Sequence, residues 1–324
     1  MGRTNFPHGI SSAGIPITGG ADNYGAGGGS VYFLDAANGN DGNDGKTAQS
    51  AFKTWDVAYD ALTTLKHDIL YIIGGNTSVS ITGATTFSKS LCHIVGVGGT
   101  KHYSNRARFA GTSACTASPM FNITGSNNTF DNVMWQFGVA STSSLVCLAI
   151  TAGQRNTFVN CHIQGVTNAT QSATGAADLT LDNAQENEFY NCTIGSNQAV
   201  RDNDATNVIF DTGSSMNNFY DCEFIAGVAA SATGYCMFTV ADNSGIAGTN
   251  IMKNCLFHHI STNKLVTLAS LWSIPANMQT AYVYLINPCW ATLTTALDAN
   301  SRGILYCNTP AAVASAAGGK CTNL

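Results

Sequence analysis

The stretch Asn156-Thr-Phe-Val-Asn-Cys-His-Ile163 returns as Asn187-Glu-Phe-Tyr-Asn-Cys-Thr-Ile194 and again as Asn217-Asn-Phe-Tyr-Asp-Cys-Glu-Phe224. The shared pattern is Asn, any residue, Phe, any residue, Asn or Asp, Cys, any residue, Ile or Phe. An earlier copy, Asn128 to Trp135, carries Val133 in the Cys place, and a later one, Asn250 to Phe257, carries Met252 in the Phe place. The Cys-equivalent positions 133, 161, 192, 222 and 255 are separated by 28, 31, 30 and 33 residues. Cys289 follows in a degraded copy, and Cys92 marks a possible earlier turn of the same repeat.

Between the copies run short β-rich segments, Met120–Ile123, Cys147–Ile150, Asp178–Leu181, Asn207–Phe210, Met237–Val240 and Leu265–Leu268, each preceding a polar Gly, Asn or Ser turn. Such runs read as strands. A period of about 30 residues with at least two strands is too short for a propeller blade, and no sustained 3.6-residue period supports a helical solenoid. What remains is a single-stranded right-handed parallel β-helix, an all-β solenoid with one coil per repeat. Successive coils then stack Cys161, Cys192, Cys222 and Cys255 roughly 4.8 Å apart, and stack Phe158, Phe189 and Phe219 likewise. Phe158 and Cys161 differ in strand parity, so a bend between them is needed to turn both inward. Asn160, Asn191, Asp221 and Asn254 sit at that bend, as residues that tolerate left-handed backbone. Their side chains are also able to bond from coil to coil. The cysteines read as buried, reduced packing residues.

Working outward, residues 69–308 form the expected β-helix. Residues 31–68 supply an opening strand (Val31–Ala36), an Asn-Gly-Asn-Asp-Gly loop and one helix, about Thr54 to Lys66, expected to cap the first coil with Trp55, Ala58, Tyr59 and Leu62 inward. The loop does not have EF-hand spacing, so it reads as a polar turn cluster. Residues 1–30 are polar and Gly-rich with isolated hydrophobes, an N-terminal arm and linker, with Phe6, Ile10, Ile15 and Ile17 as candidate partner-binding anchors. Residues 309–324 read as a C-terminal tail or cap.

The chain has 324 residues, 10% charged and 44% apolar, with 14 basic and 19 acidic side chains. So little basic charge argues against nucleic-acid binding. No run of 18 apolar residues suggests a membrane span, and the first sixteen residues lack the apolar stretch of a secretory signal. Eleven cysteines without export make a disulfide framework unexpected. No metal-ligand spacing or cofactor motif is present, so neither a metal nor a cofactor is expected.

Carboxylates for lyase or glycosidase chemistry are available at Asp178, Asp182, Glu186, Asp202, Asp204, Asp211 and Glu223, with Arg155 and Arg201 as bases. A glycosidase pair is conceivable between Asp182 and Asp211, or between Glu188 and Glu223, across coils. The Arg201–Asp204 run reads as a solvated loop. His162 has no triad partners, and His258 and His259 alternate faces, a poor metal pair.

The opening strand, the Asn-Gly-Asn-Asp-Gly loop, Ala51-Phe-Lys-Thr-Trp-Asp-Val-Ala-Tyr-Asp-Ala-Leu62 and Ile69–Gly75 resemble the start of pectate-lyase-like right-handed β-helices. Thr4–Gly20, with that start and with Ser80–Gly99, resembles a group of tailed-bacteriophage virion proteins that join a short arm to a β-helix body. The resemblance implies a homotrimer and a non-enzymatic virion role. That role is capsid decoration, with the arm bound to the major capsid protein or another virion protein, on the particle exterior. The alternative it implies is a tailspike or fibre that binds a host surface glycan, with or without degrading it. The fold itself decides none of this.

Overall fold

A computed structural model describes residues 11–12, 15–16, 29–98, 107–139, 145–165, 167, 175–201, 205–228, 236–260, 271–275, 282–291, 304–307 and 320–321. The body is a right-handed parallel β-solenoid. Its strands form three sheets of eleven, eight and seven strands, called here the long, second and third sheets. Strand pairing along all three is parallel. Each full coil contributes three strands, one more than the repeat alone revealed. In the coil that begins at Asn156, these are Thr157–Val159, His162–Gln164 and Ala177–Asp182.

The repeat is in register. Phe130, Phe158, Phe189 and Phe219 are successive partners. Their rings stack nearly parallel, with centroids 5.0, 4.6 and 4.5 Å apart. Met252 and Leu285 continue the row on one side and Ile94 and Leu70 on the other, all buried. The corner after each Phe strand is left-handed: φ is 56° at Asn132, 52° at Asn160, 50° at Asn191, 55° at Asp221, 56° at Asn254 and 49° at Asn287. That conformation costs most L-residues about 1–2 kcal/mol and is eased for Asn and Asp. Side-chain bonds connect the corners, Asn191 Nδ2 to Asn160 Oδ1 at 2.7 Å and Asn254 Nδ2 to Asp221 Oδ1 at 3.0 Å.

Three expectations need correction. Cys92 donates its backbone N–H to Asn128 Oδ1 (2.9 Å) and so occupies the row of the repeat's first Asn, not its Cys. Cys289 pairs in register with Leu256, one residue past Cys255, and is exposed; the one-residue shift moves it out of the stack. The third-sheet strand that follows Phe238–Val240 is Trp272–Ser273, whose indole stacks on Phe238 at 4.4 Å, whereas Leu265–Leu268 lies outside the described residues.

The helix, α1 (Trp55–Ala61), is shorter than its pattern. Thr54 is its N-cap residue but makes no side-chain cap bond. Asp41 Oδ1 instead accepts the N–H groups of Lys53 and Thr54 at 2.9 Å each. At the other end Lys89 Nζ donates to the carbonyls of Tyr59 (2.6 Å) and Leu62 and lies over the Tyr59 ring. A cation there offsets the helix dipole and takes the last carbonyls, which ends the helix at Ala61. Trp55 packs against Phe87, Phe109 and Phe121 and closes the first coils.

Candidate functional site

The four stacked cysteines are buried free thiols. Cys161, Cys192, Cys222 and Cys255 each lie against two main-chain carbonyls at 3.3 to 3.5 Å; for Cys192 these are Phe158 O at 3.5 Å and Tyr190 O at 3.3 Å. Burial pushes the Cys192 thiol well above its usual range, so it stays protonated. The four side chains serve as core packing.

A second Asn row stands inside the solenoid, and its role was not read from the repeat. Asn156 Oδ1 accepts both N and Nδ2 of Asn128 at 3.0 Å, and Asn187 Oδ1 accepts both from Asn156 at 3.0 Å. Asn217 and Asn250 extend the chain of bonds. Each amide satisfies a backbone N–H that the strand ladder leaves over at the corner. All five asparagines are buried.

The candidate acids separate into different settings. Asp178 is fully buried and structural, accepting Gly165 N at 2.7 Å and Asn207 Nδ2 at 3.0 Å. Asp182 and Asp211 are register partners at the C-terminal ends of two interior strands of the third sheet. Glu188 and Glu223 stand on the long and second sheets respectively, so they do not form a pair. Glu223 lies 3.6 Å from His258 Nδ1. Asp202 and Asp204 lie outside the described residues, as do Phe6, Ile10 and Ile17. Ile15 belongs to a two-residue strand, Ile15–Pro16, that pairs antiparallel with Ser11–Ser12, so the arm turns back there instead of running fully extended.

His162 is buried, with Nε2 3.0 Å from Gly195 O. The carboxylates flanking the Asn-Gly-Asn-Asp-Gly loop, like Asp41 within it, are occupied by the protein itself. Asp35 accepts Ala37 N and Asn38 N, and Asp44 accepts Lys46 N and the Ser50 hydroxyl. The Lys46 N–H and then the Ser50 hydroxyl hold Asp44 below the usual carboxylate range.

Among the described residues, one concave feature is a shallow groove of about 480 Å3, lined by Arg155, Thr157, Glu186, Glu188, Met216 and Asn218. Its construction follows from the coil. Arg155, Glu186 and Met216 precede the buried asparagines at a second left-handed corner, with φ of 55°, 55° and 53°. Thr157, Glu188 and Asn218 are register partners on the outer face of the long sheet. Arg155 and Glu186 form a two-pronged pair, Nε to Oε2 at 2.5 Å and Nη2 to Oε1 at 3.2 Å. Beside the groove Tyr190 and Tyr220 stack with centroids 5.0 Å apart, and Tyr190 donates its hydroxyl to Glu188 Oε2 at 2.7 Å. That bond, and then burial, push the Tyr190 phenol up to about 12, which keeps it a donor. The groove therefore offers fixed donors, acceptors and ring edges, the chemistry of holding a hydroxyl-rich ligand. The signal lay in the sequence: the residue before each repeat's first Asn is Arg155, then Glu186, opposite charges one coil apart.

No protein-family profile matches the chain, and no curated protein matches its sequence. Solved structures do. Pectate lyase Pel9A superposes with a TM-score of 0.59 at 15% identity, over 87% of this chain and 70% of that one. This is the pectate-lyase type of β-helix. The pectin methylesterase PemA from Erwinia chrysanthemi gives a TM-score of 0.57 at 11% identity, over 90% and 92% of the two chains. ORF18 of Geobacillus virus E2 gives 0.38 at 11% identity, over 80% and 60%, a likeness that carries no argument. At these identities the similarity concerns the fold alone.

Proposed function

We propose that the chain is a structural protein of a tailed-bacteriophage virion. It is a non-enzymatic homotrimer of β-helices that decorates the capsid from the particle exterior. The arm holds it to the major capsid protein or another virion protein through Phe6, Ile10, Ile15 and Ile17. The observation that carries this reading is the junction between arm and body. Ser30 N is held by Asp68 Oδ1 at 2.6 Å, and Gly29 lies so close to His67 O that a Cβ there would stand 2.1 Å from it. The body thus begins at a clip, its first coils already closed by Trp55. A chain that is 10% charged, with Val159, Tyr190, Tyr220 and Ile286 on the outer face of the long sheet, suits packing against two further copies.

Deleting residues 1–20 tests the reading. The expected result is a folded trimer that no longer attaches to particles. Loss of folding, or undiminished attachment, contradicts it. Immunogold labelling of the particle distinguishes label over the head from label at the tail tip.

The groove favours a second reading, a tailspike or fibre that binds a host surface glycan. Arg155→Ala would then weaken binding of host polysaccharide in calorimetry and leave the melting temperature unchanged. Absence of any binding heat with the parent protein removes this alternative.

A further inference from the structure

His67 and His93 meet where the body begins. His67 Nδ1 lies 3.2 Å from His93 Nε2. The ring planes are inclined by only 19° and the centroids stand 5.5 Å apart, close to the greatest separation that such a contact between two imidazoles allows. The rings therefore point nitrogen to nitrogen in nearly one plane. A contact of that shape holds one proton. A neutral imidazole offers one N–H and one lone pair, whereas an imidazolium offers two N–H groups and no acceptor. A second proton on the pair sets N–H against N–H.

The contact fastens a strained turn. His67 lies between α1 and the strand Ile69–Ile73 with φ at 57°, and Leu65, two residues before it, has φ at 64°. Left-handed backbone at non-glycine residues persists only where the surroundings impose it. The same turn seats the start of the body. Gly29 rests on the His67 carbonyl, and Asp68 accepts Ser30 N at 2.6 Å and Thr63 N at 2.7 Å. Ile69 N donates to Ser30 O at 2.9 Å. Buried His93 opens the next strand, His93–Val97, and grips the turn through its ring and through its own N–H, which donates to Asp68 O at 2.9 Å.

The titratable and charged neighbours among the described residues are few. Asp68 spends its oxygens on Ser30 and Thr63. Burial, and then the Asp68 charge, push the Cys92 thiol up to about 11, so it stays protonated and donates to Thr63 O. Lys89 is tied to the carbonyls that end α1, and Lys66 is exposed. Ile69 and Thr129, the strand partners of His93, do not titrate. Burial, and then the charge of His67, lower His93 to about 4. We propose that the His67–His93 contact is an acid-sensitive latch on the start of the body. A second proton parts the rings, lets the turn leave its left-handed conformation and frees Gly29 and Ser30 from their seat. The opened junction exposes His93, which then takes up a proton in the ordinary range near 6.5. The closed value lies below the open one, so the latch holds fully above that range and loosens as pH falls towards 4. Linkage on His93 alone makes the opening equilibrium grow roughly 25-fold between pH 7.5 and pH 5. This inference does not depend on the virion reading.

Amide hydrogen exchange of the full chain, read by mass spectrometry at pH 7.5 and pH 5 and corrected for intrinsic rates, tests the latch. Carboxylates ordinarily stay ionised across that window. Protection of the peptides covering Ser30–Leu34 and Thr63–Ile69 is expected to fall by that factor, while Thr157–Val159 and Glu188–Tyr190 keep theirs. His93→Gln retains a neutral hydrogen-bonding side chain that does not titrate, and it should abolish the pH dependence. Equal protection at both pH values in the parent protein overturns the proposal. So does a loss spread evenly over all four peptides, or a pH dependence that survives in His93→Gln. Exchange at the imidazole C2 carbon reads the titration of His93 in the parent protein and does not rely on the folding of the variant. A midpoint well below the ordinary histidine range is expected, and a midpoint within that range overturns the latch.

Discussion

Asn187 and Asn191 stand four residues apart in one repeat and serve opposite ends. Asn187 is buried: its Oδ1 accepts Asn156 N and Nδ2 at 3.0 Å, and its Nδ2 donates to Gly153 O and Asn217 Oδ1. Asn191 is exposed, holds φ at 50°, and donates its Nδ2 to Asn160 Oδ1. The inner amide is needed for its simultaneous donor and acceptor, because a neighbouring backbone N–H has no other partner. The outer one is needed for its backbone freedom. The rows themselves display the difference. The inner row holds Asn at 128, 156, 187, 217 and 250, whereas the outer row admits Asp221.

The largest predicted effect exploits that contrast. Asn187→Asp keeps the shape but places a carboxylate where Asn217 Oδ1 expects a donor. An uncompensated buried charge costs about 3–5 kcal/mol, so the melting temperature should collapse at pH 7. Burial raises the introduced carboxyl's pKa, the folded state takes up the proton, and stability should return as pH falls towards that raised value. An equal loss at pH 7 and pH 5 would mean that charge is not the cause. Next comes Asn187→Ala, which leaves Asn156 N–H without its acceptor. A cost of about 2–4 kcal/mol follows from one orphaned donor and the lost amide bonds. Denaturant midpoints at constant m-value measure it.

Cys192→Ser tests the buried stack that follows the outer Asn row. A hydroxyl replaces a thiol in a fully apolar wall, though Phe158 O and Tyr190 O remain as acceptors. A loss of about 1–3 kcal/mol is expected. An unchanged melting temperature would place that position outside the core.

How much of this was legible follows from what each residue needs. The Phe and Cys rows and the outer corner were readable because period, parity and left-handed tolerance are local properties of an eight-residue pattern. The inner Asn row was visible as the pattern's first letter, but its purpose requires knowing which backbone N–H the corner orphans, a fact of three-dimensional coil stacking. The third strand per coil lacks a fixed motif, so nothing in the repeat marks Trp272 as the partner of Phe238. The helix was overlong on paper because its stop comes from Lys89, 27 residues beyond Leu62. The groove depends on Arg155 meeting Glu186 across 31 residues. Periodicity aligns those positions, and only the common left-handed corner turns both side chains to one side.

The smallest effects belong to the outer row, and they sharpen the comparison most. Asn191→Ala removes one exposed bond and puts a Cβ-bearing residue without local side-chain support at φ 50°, a cost of about 1 kcal/mol. Asn191→Gly loses the same bond but relieves the backbone, since glycine populates positive φ freely at some entropic cost. If conformation is what the corner demands, Gly should lie closer to the parent than Ala. If the coil-to-coil amide bonds dominate, Ala and Gly should be equally destabilised. In that event the outer row would be a second hydrogen-bonded spine, and its difference from the buried row would be one of exposure alone.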